Sequence, residues 1–149
     1  MPLRTLETWT HGAVMLDAQH TRFALWAPDA FYVSLELVDG QSLPMLPQPD
    51  GWFVIKARCP AGTRYRFSID GEHNVPDPAS RAQVEGPESA SMVVDSLAYH
   101  WQHTSWQGRP WHQAVIYEVH VGLLGGYSAV RSHLPRLVKL GITAIELMP

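Results

Sequence analysis

Two apolar runs separated by one amphipathic segment constrain the fold of this chain more than any other feature. Val115-Ile-Tyr-Glu-Val-His-Val121 and Ile142-Thr-Ala-Ile-Glu-Leu-Met148 read as strands, and Tyr127 to Leu140 between them as a helix. Strands of nearly continuous apolar residues joined by a helix belong to a parallel sheet covered on both faces, with a right-handed crossover. Tyr127, Val130, Leu134, Leu137 and Val138 fall at the offsets of one helical stripe. Ser128 is the predicted N-cap, and Gly141 the left-handed residue that ends the helix. Pro135 lies inside, where it removes a backbone hydrogen bond at a cost of about 3 kcal/mol, so a kink or a poorly formed first turn is expected.

The residues ahead of this unit follow a different period. Phe31, Val33, Leu35 and Leu37 alternate with Tyr32, Ser34, Glu36 and Val38 before Asp39-Gly40. Tyr65, Phe67 and Ile69 alternate with Arg64, Arg66 and Ser68 before Asp70-Gly71. Asp50-Gly51 precedes Trp52-Phe53-Val54-Ile55, and Thr21 to Ala27 supplies a further strand. Short alternating runs with Asp-Gly turns predict antiparallel strands, and their spacing is that of an immunoglobulin-like sandwich of about a hundred residues. Val75-Pro-Asp-Pro-Ala-Ser-Arg81 and Glu85-Gly-Pro-Glu-Ser89 break the pattern as loops.

Trp106-Gln-Gly-Arg-Pro-Trp111 is the natural junction. The expected organisation is an all-β immunoglobulin-like sandwich with its linker over residues 1–105, then the first β-α-β unit of a truncated (β/α)8 barrel over residues 106–149. A complete barrel takes about 250 residues, so the second domain is expected to be incomplete.

Composition narrows the function classes. The 11 lysines and arginines are scattered and the formal net charge is −3, so no basic stripe offers itself to nucleic acid. No stretch approaches the ~20 apolar residues of a membrane helix, and the first residues lack a secretory apolar region. Cys59 is the only cysteine, which excludes an internal disulfide and agrees with a cytoplasmic location.

Five segments together carry a family resemblance: Phe23-Ala-Leu-Trp-Ala-Pro-Asp29, Gly62-Thr-Arg-Tyr-Arg-Phe67, Val75 to Arg81, Val115 to Gly122, and Leu140 to Pro149. They resemble the N-terminal part of the malto-oligosyltrehalose trehalohydrolases, glycoside hydrolases of the α-amylase superfamily. Leu-Trp-Ala-Pro alone is common to branching and debranching enzymes; Val-Pro-Asp-Pro-Ala-Ser-Arg followed by Ile-Tyr-Glu-Val-His-Val-Gly is narrower. The resemblance implies a sandwich of the family 48 carbohydrate-binding-module kind ahead of a catalytic barrel. It implies malto-oligosyltrehalose or another α-glucan as ligand, and release of trehalose by a retaining two-carboxylate mechanism that needs no metal or cofactor. It places the catalytic carboxylates on later barrel strands, so no residue here inherits a catalytic role. Leu123-Leu-Gly-Gly126 departs from the longer loop usual before the family's first barrel helix.

The remaining candidates are few. Glu118 and His120 share one face of the first barrel strand, and His120, nearer its C-terminal end, is the candidate for touching substrate. The competing reading is a polar pair satisfied within the barrel. Asp77, Glu85 and Glu88 read as turn-formers or solvated charges. His100 and His103 find no third ligand at metal spacing. Gly122, Gly125 and Gly126 form a turn and match no phosphate-binding pattern. Of Trp9, Trp26, Trp52, Trp101, Trp106 and Trp111, all but one are assigned to packing, three of them at linkers where they could wedge two domains together. Trp52, which follows a turn and begins a strand, is the candidate for stacking on a sugar.

Two functional classes follow. One is a hydrolase fragment, inactive alone; the other is a non-catalytic α-glucan-binding or docking module, with a branching or debranching enzyme fragment as a variant of the first. In either case two parallel strands and one helix leave apolar surface and open edges, so self-association through residues 111–149 is expected.

Overall fold

The computed structural model describes residues 11–148, so Trp9 lies outside the described residues. Compact packing divides the chain at the His100–Trp101 link, and each unit is described by itself.

In the first unit β1 (Gly12–Met15), β2 (His20–Trp26), β5 (Leu46–Gln48) and β6 (Trp52–Arg58) form one antiparallel sheet in the order β1-β2-β6-β5. A second sheet runs β4 (Ser42–Pro44), β3 (Val33–Leu37), β7 (Arg64–Ile69) and β8 (His73–Val75), with β9 (Ser91–Met92) also paired to β7. Alternate residues of both sheets meet in one core: Phe23, Leu25 and Phe53 from the first, Val33, Leu35, Tyr65 and Phe67 from the second. Phe23 and Tyr65 meet edge to face across it at 4.8 Å, a favoured quadrupole geometry. The Asp-Gly turns form as the alternation requires. Asp70 and Gly71 both take positive φ at the β7–β8 hairpin, and the Asp70 carboxylate also accepts the N–H groups of Phe31 and Tyr32 at 2.9 and 2.8 Å. Phe31, expected within a strand, precedes β3 and is 95% exposed, because that carboxylate has already turned the backbone there.

In the second unit β10 (Ile116–His120) and β11 (Ala144–Met148) pair in parallel, joined through α1 (Tyr127–Lys139). The helix ends as the sequence requires: Gly141 has φ 86°, Ile142 N–H donates to Leu137 O at 3.1 Å and Gly141 N–H to Val138 O at 3.0 Å. These are the two bonds of a Schellman cap. Its start differs. Gly126, not Ser128, occupies the N-cap and offers no side-chain bond, because the turn through Gly125 and Gly126 uses positive φ at both and brings the chain into the helix earlier. The helix runs unbroken through Pro135. Only Val130 and Leu137 of the apolar stripe are buried; Tyr127 and Val138 are exposed, since a single strand pair covers a narrow strip of the helix.

Candidate functional site

The face of the β10–β11 pair turned away from α1 collects the polar chemistry of the second unit. Val119, Val121 and Ile145 pack on Val130 of the helix. By strand alternation Glu118, His120, Glu146 and Met148 therefore share the opposite face. The parallel register sets Glu118 beside Glu146 and His120 beside Met148. All four are exposed. His120 is held in place: its Nδ1 accepts the Leu123 N–H at 3.2 Å, which puts the ring proton of the neutral imidazole on Nε2. A Cβ on Gly122 would stand 3.2 Å from His120 Cε1, so the glycine leaves the ring its place. Sequence reasoning found Glu118 and His120. It missed Glu146, which becomes their neighbour only through the register of a strand 26 to 28 residues downstream.

The first unit contains a second organised polar group. Asp77, expected to be a turn-former or a solvated charge, is indeed a turn-former: its Oδ1 accepts the Ala79 N–H at 2.8 Å. It is not solvated, being only 3% exposed. Tyr65 Oη donates to Asp77 Oδ2 at 2.6 Å, and the Asp77 N–H donates to Ser91 Oγ at 2.9 Å. Burial pushes the Asp77 carboxyl above its usual range, opposed by the Tyr65 hydroxyl, the Ala79 N–H and the Arg81 and His11 charges. Burial and the adjoining carboxylate hold the Tyr65 phenol protonated. The arrangement locks the loop after β8 onto the core and leaves no group poised for proton transfer. Glu85 and Glu88 are exposed, and nothing brings them together as acid and base.

Trp52 begins β6 and is half-buried, its ring edge-to-face with His11 at 4.7 Å. Trp26 stands directly across from it on β2. Trp26, assigned to packing by sequence, is 57% exposed, and Trp101, Trp106 and Trp111 are likewise exposed. The last three lie where the chain makes turns and a short 3-10 segment rather than sheet, so no strand surface is available to cover them. Among the described residues no group of three or more histidine, cysteine, aspartate or glutamate side chains could hold a metal ion, and no helix is long and apolar enough to cross a membrane.

No family model matches the chain. Individual proteins do. Over 140 residues it is 38% identical to a malto-oligosyltrehalose trehalohydrolase of Rhizobium sp., a match covering 86% of this chain and 23% of that enzyme. The trehalohydrolase of Deinococcus radiodurans is 36% identical over 87% of this chain and 22% of its own length. A 1,4-alpha-glucan branching enzyme of Pseudoalteromonas atlantica is 33% identical over 87% of this chain and 21% of its own. The chain thus spans about a quarter of the length of the curated relatives it matches. Among solved structures, a provisionally named alpha amylase of Salmonella typhimurium matches with a TM-score of 0.80 and 42% identity, over 94% of this chain and 24% of that one. A pullulanase of Paenibacillus barengoltzii complexed with maltotetraose matches with a TM-score of 0.67 and 25% identity, over 93% of this chain and 27% of that one.

Proposed function

The chain corresponds to the N-terminal part of an α-amylase-family enzyme of the malto-oligosyltrehalose trehalohydrolase type, and we propose that it serves the hydrolysis which that name describes. In that reaction the α-1,4 bond next to the terminal trehalose unit is cleaved. One carboxylate attacks the anomeric carbon while a carboxylic acid protonates the leaving oxygen and then activates water. This chain supplies neither group. Its part is a family 48-like, immunoglobulin-like sandwich over residues 1–105 and the first two strands and first helix of a (β/α)8 barrel over residues 106–149, in the cytoplasm.

The observation that carries the reading is the parallel β10–β11 pair with α1 covering one face. Glu118, His120 and Glu146 on the other face are placed as barrel-interior residues, and His120 lies at the C-terminal end of its strand, where such barrels bind substrate. With Nδ1 engaged by Leu123, His120 offers Nε2–H as a donor to a sugar hydroxyl. Its role is positioning.

The test is a chimera in which this chain replaces the matched region of the Rhizobium sp. trehalohydrolase. The chain alone is expected to release no trehalose from malto-oligosyltrehalose, and the chimera to release it. A folded chimera that binds the substrate but yields no trehalose would overturn the reading, and transfer of glucan segments in place of hydrolysis would move the assignment to the branching enzymes.

A further inference from the structure

The face of the β1-β2-β6-β5 sheet turned away from the core holds features that neither packing nor the proposed reaction uses. Phe23, Leu25, Phe53 and Ile55 point to the core, so by alternation Ala24, Trp26, Trp52, Val54 and Lys56 point to the other side. Ala27 N–H donates to Gly51 O at 2.9 Å, which makes Ala27 and Gly51 a hydrogen-bonded pair of the antiparallel ladder. Trp26 and Trp52, the next pair, are then a narrow non-hydrogen-bonded pair with Cα atoms about 4.5 Å apart. The two indoles arise side by side.

Their orientation is fixed by the corner they share. Trp26 Nε1–H donates to Asp50 O at 2.9 Å. Asp50 sits at φ 60° and Gly51 at φ 79°, and a Cβ on Gly51 would fall 2.6 Å from Pro28 Cα. A non-glycine residue in the left-handed region beside a glycine that admits no side chain is a strained turn held by its surroundings, and such strain concentrates where geometry is used. With its N–H already engaged, the exposed Trp26 indole offers a ligand its π face. Beside the pair, Leu46, Gln48, Val54, Ile55 and Lys56 line a groove of about 390 Å³. Gln48 stands opposite Trp52 and Leu46 opposite Val54, so the groove continues the same face. The Gln48 amide is steadied by donating to Pro47 O at 3.0 Å.

An aromatic platform with an apolar floor, an amide and one ammonium at its edge matches a neutral chain of rings that has C–H faces and hydroxyl rims. It matches neither an anion, for which one lysine is too little, nor a flat apolar protein surface, for which the polar edge is wasted. We propose that the Trp26–Trp52 face with the β5–β6 groove binds a linear α-1,4-glucan. The choice of α-1,4 linkage rests on the function proposed above; the platform itself does not.

Maltoheptaose titrated into the 149-residue chain, followed by indole N–H resonances and tryptophan fluorescence, tests the proposal. Saturable binding is expected, with Trp26→Ala and Trp52→Ala each weakening it about tenfold and Trp111→Ala leaving it unchanged. Trp26→Phe, which keeps a ring on the strand, guards against loss of fold and is expected to retain part of the affinity. Unchanged binding in folded Trp26 and Trp52 variants would overturn the proposal and place the glucan elsewhere. So would no saturable binding up to about ten millimolar ligand, or a wild-type dimer that the Trp26 variant alone dissolves. None of these outcomes touches trehalose release by the chimera, so the two readings fail separately.

Discussion

Tyr65 Oη donates a 2.6 Å hydrogen bond to Asp77 Oδ2, tying the middle of β7 to the loop that follows β8 beneath the surface of the two-sheet unit. Both side chains are buried, so neither can exchange the other for water when one is removed. Bonds to a charged partner are worth about 1.5–3 kcal/mol, and a buried group left without one costs a similar amount. Tyr65→Phe is expected to lower stability by about 2 kcal/mol, and Asp77→Ala by at least as much, in chemical denaturation.

The same pair sets a pH dependence. Burial raises the Asp77 carboxyl above its ordinary 3.8 in the folded state. A carboxyl with a raised folded pKa binds its proton more tightly folded than unfolded, so its favourable contribution is complete below the unfolded value and is lost as pH rises through the folded one. Asp77→Asn removes that titration. The stability of the wild type relative to Asp77→Asn is therefore expected to rise as pH falls from neutral toward about 4, read from paired denaturation curves. A difference that falls on acidification would mean that the Tyr65 hydroxyl and the Arg81 charge outweigh burial.

Gly51→Ala probes the corner behind Trp26. The new methyl would meet Pro28 at 2.6 Å from a backbone already at φ 79°, and both partners are main chain or ring atoms that cannot swing aside. A loss of about 2–3 kcal/mol is expected, with the indole N–H resonance of Trp26 shifted as its bond to Asp50 O is disturbed. Gly40→Ala, also at positive φ but with nothing within 4 Å, is expected to cost less, which separates the clash from the backbone term.

What the sequence disclosed depended on how local the information was. The alternations around Phe23, Leu35 and Phe67, the Asp-Gly turns and the Gly141 stop all act within a few residues, and all are present. β1, β4, β5, β8 and β9 span two to four residues each, too short for a period to show. The helix start was misplaced because capping preference favoured Ser128, while the glycine turn before it decided the matter. Trp26 was missed because an indole in an apolar motif reads as core, whereas its side is set by parity with Phe23 and Leu25. Glu146 and the Tyr65–Asp77 bond join residues far apart in the chain, and no local pattern encodes them.

The second unit is expected to be the weaker one. Its core consists of Val119, Val121 and Val130 with Ile145 packed against them, while Ile116, Tyr117, Leu147 and Met148 are exposed and both strand edges lie open. Local stability follows buried apolar contact, so amides of β10 and β11 are expected to exchange orders of magnitude faster than those of β2 and β7 in dilute solution. Raising the concentration is expected to slow them as copies associate through the open edges. Strong, concentration-independent protection of β10 would sink this expectation.

Gly122→Ala tests whether the hold on His120 has a use. Gly122 is not among the glycines at positive φ, so alanine fits the backbone there, and the new Cβ would stand 3.2 Å from His120 Cε1 and 3.5 Å from Nδ1. The ring must shift by a few tenths of an ångström, and the bond from Leu123 N–H loosens with it. In the chimera a displaced positioning group is expected to raise KM for malto-oligosyltrehalose more than it lowers kcat, with kcat/KM down about tenfold and the melting curve little changed. His120→Ala is expected to do the same more strongly, and His120→Gln, which keeps a donor, to recover part of the loss. Equal falls in stability and activity for all three variants would show that His120 only supports the turn, returning the β10 face to the plain reading of polar residues satisfied within a barrel.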